Sequence, residues 1–159
     1  MSEIRKSAII SEDGKYRYRL DRFWSGEHAL VFVMLNPSTA DANIDDPTIR
    51  RCMGFARREG AGGIIVVNLF ALRATDPFLL TTATNPIGPQ NREIVASVFD
   101  AARRQGVPII CAWGACKSVK FWREALNDRG PFMCLGKTRN GSPRHPLYVR
   151  ANQPFEVFP

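Results

Sequence analysis

Apolar and polar positions along this chain follow two rhythms, that of strands and that of helices. From Ala29 to Leu35 the chain is unbrokenly apolar, and it stops abruptly at Asn36-Pro37-Ser38-Thr39. Such a run reads as a strand buried on both faces, as in a parallel sheet covered by helices. Ahead of it, Ser11-Glu-Asp-Gly14 is a turn between Ala8-Ile-Ile10 and Tyr16-Arg-Tyr-Arg-Leu20, whose period of two predicts an N-terminal β-hairpin. Asp46-Pro47 opens a helix with an acidic N-cap and proline at the first helical position. Ile49, Cys52, Met53 and Ala56 form its apolar stripe, and Gly60 and Gly62-Gly63 end it. Arg50, Arg51, Arg57 and Arg58 lie largely off the stripe, and Arg57 and Arg58 read as a solvated face. Further strands are predicted over 64–72, 107–113 and 131–135. Further helices are predicted over 89–105, stopped by Gly106, and from Gly114 to near Asn127.

This alternation predicts a three-layer α/β/α sandwich with right-handed crossovers around a largely parallel four-stranded sheet, plus the N-terminal hairpin. One domain over 1–159 is expected, with 1–28 as hairpin and lead-in and 29–150 as the core. In such sheets ligands bind just beyond the carboxyl ends of the strands. Four polar exits are then expected on one edge: Asn36 to Asp41, Asn68 to Asp76, Trp113-Gly114, and Lys137 to Tyr148. Their convergence points to one cleft.

Composition narrows the class. The chain is 45% hydrophobic and 23% charged, with no low-complexity tract and no apolar segment of membrane-spanning length. Cys52, Cys111, Cys116 and Cys134 stand singly in apolar segments with no Cys-x-x-Cys pair, which reads as free buried thiols in a cytoplasmic protein. A net charge of +7 leans towards an anionic partner such as nucleic acid, a nucleotide or a phosphate ester. No membrane partner is expected, and no oligomeric state follows from the sequence.

Each polar exit supplies candidates with two roles open to them. Asn36 either caps the Pro37 bend or orients a water, with Ser38 and Thr39 beside it as binding groups. Asn68, inside an apolar run, must find hydrogen-bond partners or face the cleft, since an unmatched buried amide costs about 1–3 kcal/mol. His145 lies in a Gly/Pro/Arg-rich loop, where ligand contact is the expectation. Asp46 reads as a helix cap and Asp41 as the acid that would orient a water or a metal. Arg73, Lys137 and Arg144 stand at strand exits as anion contacts. Trp113 and Phe70 suit either the core or base stacking, and Gly114 and Tyr148 complete the candidate binding set.

Four segments carry a family resemblance: Leu35-Asn-Pro-Ser-Thr-Ala-Asp41, Asp45-Asp-Pro-Thr-Ile-Arg-Arg51, Asn68-Leu-Phe-Ala-Leu-Arg-Ala-Thr-Asp-Pro77 and Gly141-Ser-Pro-Arg-His-Pro-Leu-Tyr148. Together they resemble the domain of unknown function 1643 family, a resemblance that covers nearly the whole chain and implies no activity. A more distant resemblance is to the uracil-DNA glycosylase superfamily. Asn36-Pro37 is similar to the water-positioning motif of its mismatch-specific branch. Val66-Val-Asn68 resembles the strand asparagine that reads the edge of uracil, and Ala112-Trp-Gly114 resembles an apolar-Trp-Gly strand end. His145-Pro-Leu147 resembles the motif whose histidine stabilises the departing base. The inner Ser-Pro of that motif is absent here, so its serine phosphate clamp and its helix-piercing leucine are not carried over.

That resemblance implies recognition of a nucleobase or nucleotide, with hydrolysis of the N-glycosidic bond as the associated chemistry and no cofactor. Asn36, with Asp41, would hold the water, Asn68 would read the base, and His145 would stabilise the leaving group. Free nucleotides or single-stranded nucleic acid are the expected partners, because a duplex base must first be flipped out. Two other readings stay open: a binding module without catalysis, and a metal-assisted phosphate-ester hydrolase using Asp41, Asp45 and Asp46.

Overall fold

The computed structural model describes residues 3–26, 28–115, 126 and 129–159. Among them the apolar run 29–35 is a strand, β3 (Ala29–Met34), buried at every position. The hairpin strands are β1 (Arg5–Ile10) and β2 (Arg17–Phe23), joined by a turn in which the Gly14 N–H donates to Ser11 O at 2.9 Å. Gly14 has φ +74°, a conformation glycine adopts without strain. The later strands are β4 (Gly63–Asn68), β5 (Ile109–Cys111), β6 (Phe132–Cys134) and β7 (Glu156–Phe158).

Among the described residues all seven strands form one mixed sheet in the order β1-β2-β4-β3-β5-β6-β7. The expectation of four strands is therefore corrected. The four expected ones, β4-β3-β5-β6, are mutually parallel and form the centre. The hairpin is not a separate appendage, because β2 pairs antiparallel with β4, Leu20 opposite Val66, and extends the sheet. Leu20 is fully buried, so its alternating face belongs to the core rather than to an isolated ribbon. At the other edge the C-terminal residues form β7 against β6.

Helices cover both faces. In α1 (Pro47–Arg58), the Asp46 side chain accepts from Ile49 N, proline stands at the start, and the stripe Ile49, Cys52, Met53, Phe55, Ala56 is buried. These side chains pack with Leu30, Phe32, Met34, Ile64 and Val66. In α3 (Asn91–Gln105), closed by Gly106 at φ +67°, Val98, Phe99 and Ala102 pack with Val31, Val33, Val67 and Ile109. Successive residues of β3 and β4 thus feed opposite cores, as the period of a strand requires. A short helix α2 (Leu79–Thr82), absent from the sequence reading, lies between β4 and α3. The helix expected after Gly114 falls outside the described residues.

The order of the centre fixes where a site can form. From β3 the chain crosses by α1 to β4 on one side, whereas from β5 it proceeds to β6 on the other. The exits of β3 and β5 therefore diverge, leaving a crevice at their carboxyl ends. Cys52, Cys111 and Cys134 are free and buried, and Cys116 lies outside the described residues. No helix among the described residues is long and apolar enough to cross a membrane.

Candidate functional site

A cleft of about 570 Å³ opens at that crevice, within the range of about 300–1,000 Å³ usual for small-molecule sites. Asn36, Pro37 and Ser38 line it from the end of β3, Asn68 from β4, Trp113 and Gly114 from β5, and Arg144, His145 and Tyr148 from the loop after β6. All four polar exits are represented.

Asn68 is the last residue of β4 and, by strand parity with Ile64 and Val66, projects on the α1 side of the sheet. It is only 1% exposed, and among the described residues neither Oδ1 nor Nδ2 has a hydrogen-bond partner. Its backbone is held firmly: Asn91, at the start of α3, donates from Nδ2 to Asn68 O at 2.9 Å and Leu69 O at 3.3 Å. The amide that reaches the cleft is thus fixed at its base and unmatched at its tip. Asn91 was missed in the sequence because an asparagine at a helix start reads as an ordinary cap.

Asn36 combines the two roles open to it. Nδ2 donates to Pro37 O at 3.0 Å and Ala74 O at 2.7 Å, so the amide ties the exit of β3 to that of β4. Both amide hydrogens are thereby used, leaving Oδ1 as an acceptor beside the cleft.

His145 is carried by a tight loop. Thr138 N donates to Ser142 O, Gly141 N to Thr138 O, and Arg144 N to Gly136 O, so Lys137 and Pro143 face each other as a short bridge. His145 then caps a 3₁₀ turn (Pro146–Tyr148), its Nδ1 accepting from Leu147 N at 3.2 Å. With Nδ1 an acceptor, the ring proton of the neutral imidazole is on Nε2. Burial lowers the His145 pKa below the usual imidazole value against an opposing pull from Asp46, which favours the neutral form. Gly114, at φ +80°, sits against this ring: an added Cβ there would stand 3.3 Å from His145 Cβ. Gly114 N also donates to Pro143 O at 2.9 Å, locking the β5 exit to the histidine loop.

Arg51 anchors the same loop from α1, donating from Nε to Pro146 O at 3.0 Å and from Nη2 to Val149 O. Arg57 and Arg58 are exposed, as expected of a solvated face, and they also make specific contacts. Arg57 lies 4.2 Å over the Trp24 ring, and Arg58 stacks on Phe55 and Phe155 while donating to Ala151 O and Gln153 O. Arg51 and Arg58 use carbonyl acceptors, and Arg58 also stacking, to pin the C-terminal segment to α1.

The sequence reading missed the most buried charge of the cleft, Arg17. The β1–β2 register slips between Ile9↔Arg19 and Ile10↔Arg17, which leaves Tyr18 without an opposite residue. Such a bulge re-aims a side chain. Strict alternation places Arg17 opposite in face to Leu20, yet it is 2% exposed, lines the cleft and interacts with Asp46 and Cys52 of the α1 side. Its Nη1 donates to Ala40 O at 3.0 Å, while Nε is buried with no partner among the described residues. Burial, opposed by Asp46, brings its pKa down to about 10, so it stays charged at neutral pH. Asp46 itself lines the cleft as well as capping α1.

Other expected residues do not line the cleft. Asp41 Oδ1 accepts from Asn43 N at 2.8 Å and Ile44 N at 2.7 Å, and these bonds lower its pKa. Its assignment as the acid beside Asn36 is corrected: the carboxylate closes its own loop. Asp45 pairs with Arg22 at 2.6 Å and Lys6 at 3.2 Å; burial opposes ionisation, and these bonds outweigh it to lower the pKa. Among the described residues no three acidic, histidine or cysteine side chains come together as a metal set, so Asp41, Asp45 and Asp46 do not form one. Thr39 is exposed outside the lining. Phe70 packs towards the α3 core. Arg73 reaches Gly14 O at 3.5 Å, and Lys137 lies 4.0 Å from Glu156, neither lining the cleft. Of the three expected anion contacts only Arg144 lines it, with Nε donating to Lys137 O. Trp113 lines the cleft but is 2% exposed and packs edge-on against Phe158 at 5.7 Å, as a wall of the core.

No curated protein and no solved structure matches the chain. One family model does, over residues 17–147, a span that begins at the buried arginine of the cleft and ends in the histidine loop: the chain belongs to the family described as protein of unknown function (DUF1643).

Proposed function

We propose that this cleft recognises a nucleobase, on a nucleotide or single-stranded nucleic acid, and hydrolyses its N-glycosidic bond, in a fold resembling that of the uracil-DNA glycosylase superfamily. One observation carries the reading: Asn68 holds a donor and an acceptor side by side, buried and unmatched, on a backbone clamped by Asn91. Each unmatched atom costs about 1–3 kcal/mol. A ligand with the complementary pair, as on the hydrogen-bonding edge of a base, removes that cost on binding. The gathering of Asn36-Pro37, Asn68, Trp113-Gly114 and His145-Pro146 around one cleft supports the superfamily likeness.

The chemistry follows from the donors available. As the bond between the anomeric carbon and the base nitrogen breaks, its electron pair leaves with the base. His145 Nε2–H donates to the negative charge that develops there. A water whose O–H donates to Asn36 Oδ1 supplies the oxygen for the new bond to the anomeric carbon, and its displaced proton neutralises the departing base. Asn36 has no useful acidity, so the path is dissociative, with the base leaving first. The acidic cluster gives no support to the metal-assisted alternative, because Asp41 and Asp45 are committed to their own loop and to Arg22.

The test is release of free base from labelled uracil-, hypoxanthine- and modified-base nucleotides and oligonucleotides. His145→Ala is expected to lower turnover by about 10²–10³ with the fold intact, the effect of removing one preorganised donor. Base binding without release from any substrate contradicts hydrolysis and leaves a binding module.

A further inference from the structure

The proposed function uses Asn36, Asn68 and His145 but not Arg17, among the described residues the one charged side chain lining the cleft that is almost wholly buried. A guanidinium in that position is costly unless it is paired. Arg17 has one acceptor, Ala40 O, and forms no ion pair among the described residues. The carboxylate of Asp46 attracts it from beyond ion-pair distance, with Oδ1 already holding Ile49 N. The Nε–H is left buried and empty, and the register slip at Tyr18 is what turns it to the cleft side. A strand irregularity that brings an unpaired cation into a cleft contributes nothing to the core that an apolar residue would not supply better.

Resting on the base-recognition reading, we propose that the inner end of the cleft is an oxyanion site built on Arg17, and that it takes the terminal phosphate of the substrate. The preferred substrate is then a mononucleotide or a phosphorylated chain end. A cation 2% exposed cannot meet the phosphates of a chain that runs on in both directions, because those stay at the surface. Arg144, exposed at the rim, would contact such phosphates instead. The guanidinium fork suits a phosphate, since its donors match two oxygens of one group.

The experiment is calorimetric titration of the wild type, Arg17→Met, Arg17→Lys and Asn68→Leu with inorganic phosphate, free bases, nucleosides and their 5′-monophosphates. Wild type is expected to bind a monophosphate at least tenfold more tightly than its nucleoside. In Arg17→Met the monophosphate falls to the level of the nucleoside, whose own affinity is kept; in Arg17→Lys part of the difference returns as a point charge. Removing an unpaired buried charge should leave Arg17→Met folded, and Arg17→Lys gives the same comparison with the charge retained. A phosphate contribution that is absent in the wild type, or that survives in Arg17→Met, overturns the proposal. So does an equal Arg17 dependence of free oxo-bases, which would place the anionic oxygen on the base. Nucleoside and monophosphate binding that are both lost in Asn68→Leu and both indifferent to Arg17 leave the base reading standing without the phosphate site. No binding of any nucleoside or nucleotide contradicts both.

Discussion

Two arginines of β2 are almost completely buried, five residues apart, and differ in what surrounds them. Arg22 donates to Asp45 Oδ1 at 2.6 Å and to the carbonyls of Ser7, Asp21, Asp41 and Ile44. Around it Asp41 and Asp45 have partners of their own, so loop 41–45 is a closed polar network. Among the described residues Arg17 has a single acceptor and an empty Nε, and across the cleft wall the Asn68 side-chain amide has no partner. A matched network holds a fold together, whereas unmatched buried groups are a standing cost that a ligand can remove. The difference separates scaffold from site more sharply than residue type does, since the more acidic and more charged cluster is the structural one.

The largest effect that sharpens this contrast is expected at Arg22. Arg22→Met leaves the Asp45 carboxylate and the two loop carbonyls of Asp41 and Ile44 without this donor, and breaking a buried pair from one side costs about 3–5 kcal/mol. Urea denaturation measures it. A loss below about 1 kcal/mol would show that the network around loop 41–45 is not what holds it.

A smaller effect is expected from pH at His145. Burial holds its folded-state pKa below the ordinary value of about 6.5, so the unfolded chain binds the proton more readily. The stability tied to the neutral ring is present above the unfolded pKa and declines as pH falls below it, down to the folded value. Protonation also puts a hydrogen on Nδ1, which then cannot accept from Leu147 N. The melting temperature should therefore fall more between pH 7 and pH 5 in the wild type than in His145→Gln. Identical pH profiles would mean that the Nδ1 cap contributes nothing.

The parts of this architecture that were legible share a property: local pattern and tertiary role agree. The run 29–35 is buried because both its faces meet helices, and Asp46-Pro47 starts α1 because an acidic cap and a fixed φ suit any helix start. Asn36, Asn68, Trp113 and His145 were legible as neighbours because each ends, or follows, a strand of the parallel centre. What was not legible depends on pairing between distant segments. Sheet membership of β2 and β7 needs partners far along the chain, and the burial of Arg17 needs a register slip that leaves no mark on the alternation Tyr16-Arg-Tyr-Arg-Leu20. Asp41 misled because its two backbone partners lie within its own loop, where a turn cap and a catalytic acid look alike.

The central claim is that the Asn68 amide is kept for a base rather than for the fold, and Asn68→Leu tests it most directly when stability and affinity are measured on one sample. Replacing the unmatched amide by an apolar side chain of similar size should raise stability by about 1 kcal/mol, some 2–4 °C in melting temperature. The same variant should lose nucleoside and nucleotide affinity by at least tenfold, about 1.4 kcal/mol or more. A variant that is clearly destabilised, or one that binds nucleosides as well as the wild type, contradicts the account.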